Sequence, residues 1–238
     1  MSSKRILLQP AYVLHRRAYR ETSFLVEIFT QEYVRLTVVA RGVRKAYSST
    51  AGLLQPFSPL LVSYGGKGEL LTIFSVESNR AMLRLQGESL FAGLYLNELL
   101  MYLLQKWDAH TALFNHYEKA LFELESGLEQ KTLRSFEKHL FKELGYGVFP
   151  RTDISLQQFF LPDKYYRFVF EQGFILGEWT DIPHYQSNLF SGKNLIAMVE
   201  EKWDVDILRD AKRLTYLVLG ALLGEKKLNS RQLWVYTA

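Results

Sequence analysis

The chain contains no cysteine. That absence excludes a disulfide framework, a thiolate zinc site and a cysteine nucleophile, and it suits a reducing compartment. Long apolar runs are missing too. No stretch approaches the roughly 18 uncharged apolar residues of a membrane span. The start, M1-S-S-K-R-I-L-L-Q-P10, has only three consecutive apolar residues, short of a signal-peptide core. The expected location is the cytoplasm. The rest of the composition is ordinary, 48% hydrophobic and 23% charged, and 238 residues suffice for one large domain or two small ones.

Catalytic and ligand-holding signatures are also lacking. Gly65-Gly-Lys-Gly68 lacks the GxxxxGK followed by Ser or Thr of a P-loop and reads as a hairpin turn. The histidines, His15, His110, His116, His139 and His184, form no HExxH, and the six-residue spacing of His110 and His116 puts them on different faces of a helix. No GxSxG occurs. The acids Glu200-Glu201 and Asp204/Asp206 are explained by helix surfaces and helix N-terminal charge. Nothing compels an enzyme, a metal or a cofactor.

What is present is an uneven charge. Residues 1–80 hold 11 Lys and Arg against 5 Asp and Glu, a balance of +6, while the remaining 158, with 18 against 20, carry −2. A positive field concentrated in one part of a chain points to phosphates, of nucleic acid or of anionic lipid.

That same part reads as strands, at Tyr12–Arg16, Ser23–Thr30, Val34–Gly42, Pro59–Tyr64 and Glu69–Glu77. Phe24, Val26, Ile28 and then Val34, Leu36, Val38 recur at period two, as half-buried antiparallel strands require. Five strands in roughly 80 residues suit a small closed barrel, which leaves no exposed edge. Beyond about residue 85 the period becomes helical: Leu90, Leu94, Met101, Leu104; Leu113, Tyr117, Leu121, Leu124; and Leu133, Phe136, Leu140, Leu144 before Gly145. Two further helices are expected over 191–203 and 204–223, with Ser191 and Asp204 as N-caps. Between the helical groups, residues 148–191 are rich in aromatics, and Tyr166–Phe170 and Phe174–Glu178 around Gly173 predict a small hairpin. The expected fold is α+β and multidomain, with a five-stranded barrel over 1–80 and an α-helical domain over 81–238 that carries the insert.

The cations gather near strand ends. Arg16, Arg17 and Arg20 follow the first strand, Arg35 lies in the third, and Arg41, Arg44 and Lys45 close it around Gly42. In a five-stranded Greek-key barrel the loops and the adjoining strand face are where oligonucleotides bind. Tyr19 and Tyr47 stand beside these cations and are placed to stack on bases. The same face would also serve a peripheral protein at an anionic membrane, or a scaffold protein. A second cationic stripe, Lys131, Arg134, Lys138 and Lys142, is spaced 3, 4 and 4 along the helix beginning near Glu129, beside the apolar Leu133, Phe136, Leu140 and Leu144.

Across essentially its whole length the chain resembles the RecO family of recombination mediators. The resemblance rests on Ala11-Tyr-Val-Leu-His15 followed by Glu21-Thr-Ser23, on Ala40-Arg-Gly42, Leu54-Gln-Pro-Phe57, Tyr64-Gly-Gly66 and Tyr95-Leu-Asn-Glu98. Further on come Phe136-Glu137, Leu144-Gly-Tyr-Gly147, Ala211-Lys-Arg213 and Ser230-Arg231, all in family order and spacing. It implies an N-terminal OB-fold, a helical domain and no catalytic turnover. It also implies binding of single- and double-stranded DNA and annealing of complementary strands. The implied partners are RecR and the single-stranded-DNA-binding protein, with indirect action on RecA, which is loaded on single strands. It further implies capture of the acidic C-terminal tail of the single-stranded-DNA-binding protein on the helical domain. For that tail Arg134 is the expected carboxylate clamp, Phe136 and Leu140 the apolar groove, and Lys131, Lys138 and Lys142 the further cations. Some family members carry a four-cysteine zinc module in the insert. This chain cannot, and its insert must rely on aromatics.

Overall fold

The computed structural model describes residues 4–45, 48–67, 70–106, 111–146, 159–177 and 188–233. They form two compact units, Met1–Leu128 with Leu228–Ala238, and Glu129–Lys227.

The first unit is built on a closed barrel of five strands, β1 (Lys4–Tyr19), β2 (Ser23–Thr30), β3 (Val34–Ala40), β4 (Leu60–Gly66) and β5 (Leu71–Ser78), in the order β1-β2-β3-β5-β4. Closure depends on the length of β1. Its second half pairs with β2 from Ala11↔Thr30 to Tyr19↔Ser23, and its first half pairs with β4 from Lys4↔Gly66 to Ala11↔Leu60. A short parallel contact between β3 and β5, Val38↔Leu71 and Val39↔Thr72, completes the ring. Period two then explains the interior: Val26, Ile28, Leu36, Val38, Val62 and Tyr64 all point inward and are buried. A single turn, α1 (Thr50–Leu53), joins β3 to β4. It is followed by Leu54, which is fully buried in the barrel core.

Two helices, α2 (Gly87–Leu103) and α3 (Thr111–Ser126), and the short α7 (Asn229–Leu233) belong to the same unit. Tyr12 and Phe29, paired across β1 and β2, meet Phe114 and Tyr117 of α3 with ring centroids 5.3 to 5.7 Å apart. A buried polar relay joins strand to helices. The Tyr117 hydroxyl donates to Asn97 Oδ1 at 2.5 Å, and Asn97 Nδ2 donates to the carbonyl of Leu14 at 3.0 Å. Leu14 is the extra residue at the bulge between Val13 and His15, and its carbonyl therefore needs a partner outside the ladder. The change from strands to helices falls between residues 78 and 87, as the sequence predicts, but compactness divides the chain at 128 instead. The reason is the aromatic and polar attachment of α2 and α3 to the barrel.

The second unit contains α4 (Gln130–Glu143), α5 (Gly192–Val199), α6 (Val205–Leu223) and a three-stranded sheet, β7 (Gly173–Gly177), β6 (Tyr165–Val169) and β8 (Leu189–Ser191), in the order β7-β6-β8. Ser191 Oγ accepts from Asn194 N and Asp204 Oδ1 accepts from Ile207 N, so both expected N-caps are formed. Phe160, Tyr166, Phe168, Phe174 and Phe190 stack on one another at centroid distances of 4.8 to 5.8 Å. Gly192 is required where this cluster meets α5, since a Cβ there would lie 2.0 Å from the carbonyl oxygen of Leu161. Residues 147–158 and 178–187 of the insert lie outside the described residues, as do Tyr47, His110 and His184.

Candidate nucleic-acid interface

The strand β3 ends at Ala40, and Gly42, with φ 71°, turns the chain back toward the β1–β2 connection. Two hydrogen bonds from Arg44 tie the turn to that connection. Arg44 N donates to the carbonyl of Thr22 at 2.9 Å, and Arg44 Nη1 donates to the carbonyl of Arg20 at 3.1 Å. Two loops far apart in sequence therefore meet at one end of the barrel. Between them lies an open basin of about 920 Å³ lined by Tyr19, Arg20, Glu21, Thr22, Ser23, Arg41, Gly42 and Lys45, with Val39 of β3, Thr72 of β5 and Leu70 just before β5 forming its wall.

Phe24 organises the adjacent cations. The Arg16 guanidinium lies 4.8 Å from the centroid of this ring and the Arg44 guanidinium 6.0 Å from it, while Arg16 Nη1 also donates to the carbonyl of Ala51 at 2.7 Å. Arg20, itself in a left-handed backbone conformation with φ 51°, stacks over Tyr19 at 5.3 Å. Five of the seven candidate cations, Arg16, Arg20, Arg41, Arg44 and Lys45, are thus joined to the basin or to the ring beside it. Their fields add at one mouth, the arrangement that concentrates a polyanion.

The other two are placed differently. Arg17 is exposed on β1 opposite Leu25, one residue out of phase with Arg16. Arg35 sits toward the other end of β3, opposite Phe29, and donates to the carbonyl of Met101 at the C-terminal end of α2. It is half-buried and serves that helix end, outside the basin. The contributions of Phe24, Leu70, Thr72 and the acidic Glu21 are not read from sequence. Phe24 carries a signal all the same: it stands two residues before Val26 on the inward phase, at a strand end where a ring has cations for neighbours.

The α4 stripe separates into different roles. Arg134 and Glu137 form an ion pair at 2.9 Å with 6% and 0% of their side chains exposed, and Thr215 Oγ1 donates to Glu137 at 2.8 Å. Phe136 and Leu140 are core residues, 2% and 0% exposed, so they line no open groove. Lys138 Nζ donates to the carbonyls of Met198 and Val199, at 3.4 and 2.7 Å, and pairs with Glu201 at 3.0 Å. It caps the C-terminus of α5. Lys131, 2.6 Å from Glu129, and Lys142 remain exposed. The expected clamp of Arg134 with Phe136 and Leu140 is therefore corrected, because burial closes all three side chains to an incoming peptide.

A five-stranded barrel of OB type with a cationic basin at one end, followed by helices and a small separate sheet, defines the class of this chain as an OB-fold protein with a helical extension. Comparison with known proteins narrows it. The family description "Recombination protein O N terminal" matches residues 1–82 and "Recombination protein O C terminal" matches residues 84–154. A protein of Coxiella burnetii named "DNA repair protein RecO" is 41% identical over 232 residues, covering 97% of this chain and 99% of that protein. Proteins of the same name from Pseudoalteromonas atlantica and Methylococcus capsulatus are 43% and 39% identical, covering 95% and 97% of this chain and 93% of each relative. The chain belongs to the RecO family.

Proposed function

We propose that the chain is a non-enzymatic DNA-binding protein of recombinational DNA repair. It binds single and double strands through the cationic barrel mouth, anneals complementary single strands, and with RecR helps load RecA on strands covered by the single-stranded-DNA-binding protein. The observation that carries the DNA-binding step is the convergence of Arg20, Arg41 and Lys45 on one open basin, with Arg44 and Arg16 held beside it by Phe24. The relatives named DNA repair protein RecO support the biological setting. For the acidic tail of the single-stranded-DNA-binding protein, the exposed Lys142 and Lys131 are the contacts on α4 that remain open to solvent.

Equilibrium binding of a fluorescent single-stranded oligonucleotide tests this reading. Arg41→Glu, Arg44→Glu and Lys45→Glu together remove most of the affinity, while thermal melting remains close to wild type because all three side chains are exposed and the turn keeps its backbone bond from Arg44 N to the carbonyl of Thr22. A folded triple variant that binds like wild type refutes the assignment. Tight binding to anionic vesicles with none to naked DNA instead supports the membrane reading of the same face. Annealing proceeds without ATP, in keeping with the missing P-loop sequence.

A further inference from the structure

Phe74 is 54% exposed in the middle of β5, although a ring on a barrel strand is ordinarily placed by alternation on one face or the other. The ladder explains it. Ser63 pairs with Ser75 and Tyr64 with Ile73, so Phe74 stands unpaired in a bulge, on the outward phase set by Leu71 and Ile73, which pack into the barrel core. A second bulge lies directly across β4. Ile6 pairs with Tyr64 and Gln9 with Val62, so Leu7 and Leu8 together oppose Ser63. Leu8 adopts φ 48°, a costly conformation for a branched apolar residue, and its N–H donates to Ser63 Oγ at 3.1 Å. Two irregularities on either side of one strand position thus hold apolar side chains outward, Leu7 at 61% and Leu8 at 49% exposed.

The surface they make is charged as well as apolar. The Arg5 guanidinium lies 5.7 Å from the centroid of the Phe74 ring. It is also continuous with the basin, since Leu70 and Thr72 line the basin and Phe74 follows Thr72 by two residues, about 7 Å along the strand.

We infer that Phe74 and Arg5 form a stacking platform for an unpaired nucleobase of a strand whose phosphates lie in the basin. An aromatic face beside a cation suits a base and its phosphate together, and every base has a π-face to offer. A duplex keeps its bases stacked inside and cannot use the platform. The pair therefore supplies a preference for single over double strands that the cations, acting on phosphates alone, do not give. The inference rests on the reading of the basin as a DNA site.

The test compares wild type, Phe74→Ala, Phe74→Leu and Phe74→Tyr on an oligothymidylate and on a duplex of equal length, over a range of salt. The Ala and Leu variants bind the single strand about 5- to 150-fold more weakly. Tyr retains affinity, the duplex affinity of all four agrees within about twofold, and the salt slope is unchanged because no phosphate contact is lost. A single strand carrying 2-aminopurine shows fluorescence quenching with wild type and Tyr that is absent with Leu. Unchanged single-strand affinity in both Ala and Leu overturns the platform while leaving the basin standing, and directs the surface to a protein partner. Loss in Ala with full retention in Leu also overturns it, by showing an apolar contact without stacking. Failure of wild type to bind either DNA overturns the basin and the platform together.

Discussion

Arg134 and Glu137 of α4 form an internal ion pair, 2.9 Å apart and almost wholly out of solvent, with Thr215 donating to the same carboxylate oxygen. Removing one partner takes the countercharge from a buried ion, a change that costs about 3 to 5 kcal/mol, whereas replacing both by apolar residues of similar volume is close to neutral. Arg134→Ala therefore lowers the urea midpoint of the second unit strongly, and Arg134→Met with Glu137→Leu restores most of it. A double variant as unstable as the single one contradicts the account of the pair.

Glu98 of α2 fixes the start of α7. Its Oε1 accepts from Asn229 N at 2.8 Å and from Asn229 Nδ2 at 3.3 Å, and its Oε2 accepts from Ser230 N at 2.9 Å and Ser230 Oγ at 2.6 Å. A five-residue helix has little stability of its own and depends on such anchoring. In Glu98→Ala, hydrogen exchange at residues 229–233 rises by at least about tenfold while amides of the barrel core exchange as before. Equal protection of α7 in both proteins shows that the carboxylate is not its anchor.

Much of this fold is legible in the chain, and the misses have physical reasons. The bounds expected for β2 are met, Ser23–Thr30, because Phe24, Val26 and Ile28 alternate without interruption, and Ser191 and Asp204 announce their helices by cap chemistry. The first half of β1 is hidden: a bulge at Leu7–Leu8 and the N–H-less Pro10 break the alternation that marks a strand. The turns of α1 and α7 and the three residues of β8 are too short to show a period. The α4 cations show a different limit. Spacing puts Arg134 and Lys138 on one side of a helix, but only tertiary structure shows what covers that side. Phe141, seven residues beyond Arg134, carries the missing signal, since it widens the apolar stripe to include the Arg134 position, and Glu137 stands three residues on as the partner.

Glu201 ties α4 to the end of α5. Burial raises its affinity for a proton, but this is outweighed by the hydrogen bond and charge of Lys138, with Ser135 and His139 acting the same way, so the carboxyl is held below its usual range. The folded unit then binds this proton less tightly than the unfolded chain. The resulting stability is fully present above roughly pH 4.3, where an unperturbed glutamate titrates, and is lost as pH falls through the depressed value. Acid titration of the unfolding midpoint shows this loss in wild type, and Glu201→Gln flattens that part of the profile. Identical acid profiles contradict the assignment.

The salt dependence of single-strand binding tests the central claim most directly. Three phosphates held by Arg41, Arg44 and Lys45, at a slope of about −0.7 each, reduce affinity roughly 20-fold between 50 and 200 mM salt. The triple glutamate variant loses that slope together with most of its affinity. A wild-type affinity independent of salt, or the same slope in the folded triple variant, places the DNA elsewhere and contradicts the basin as the site.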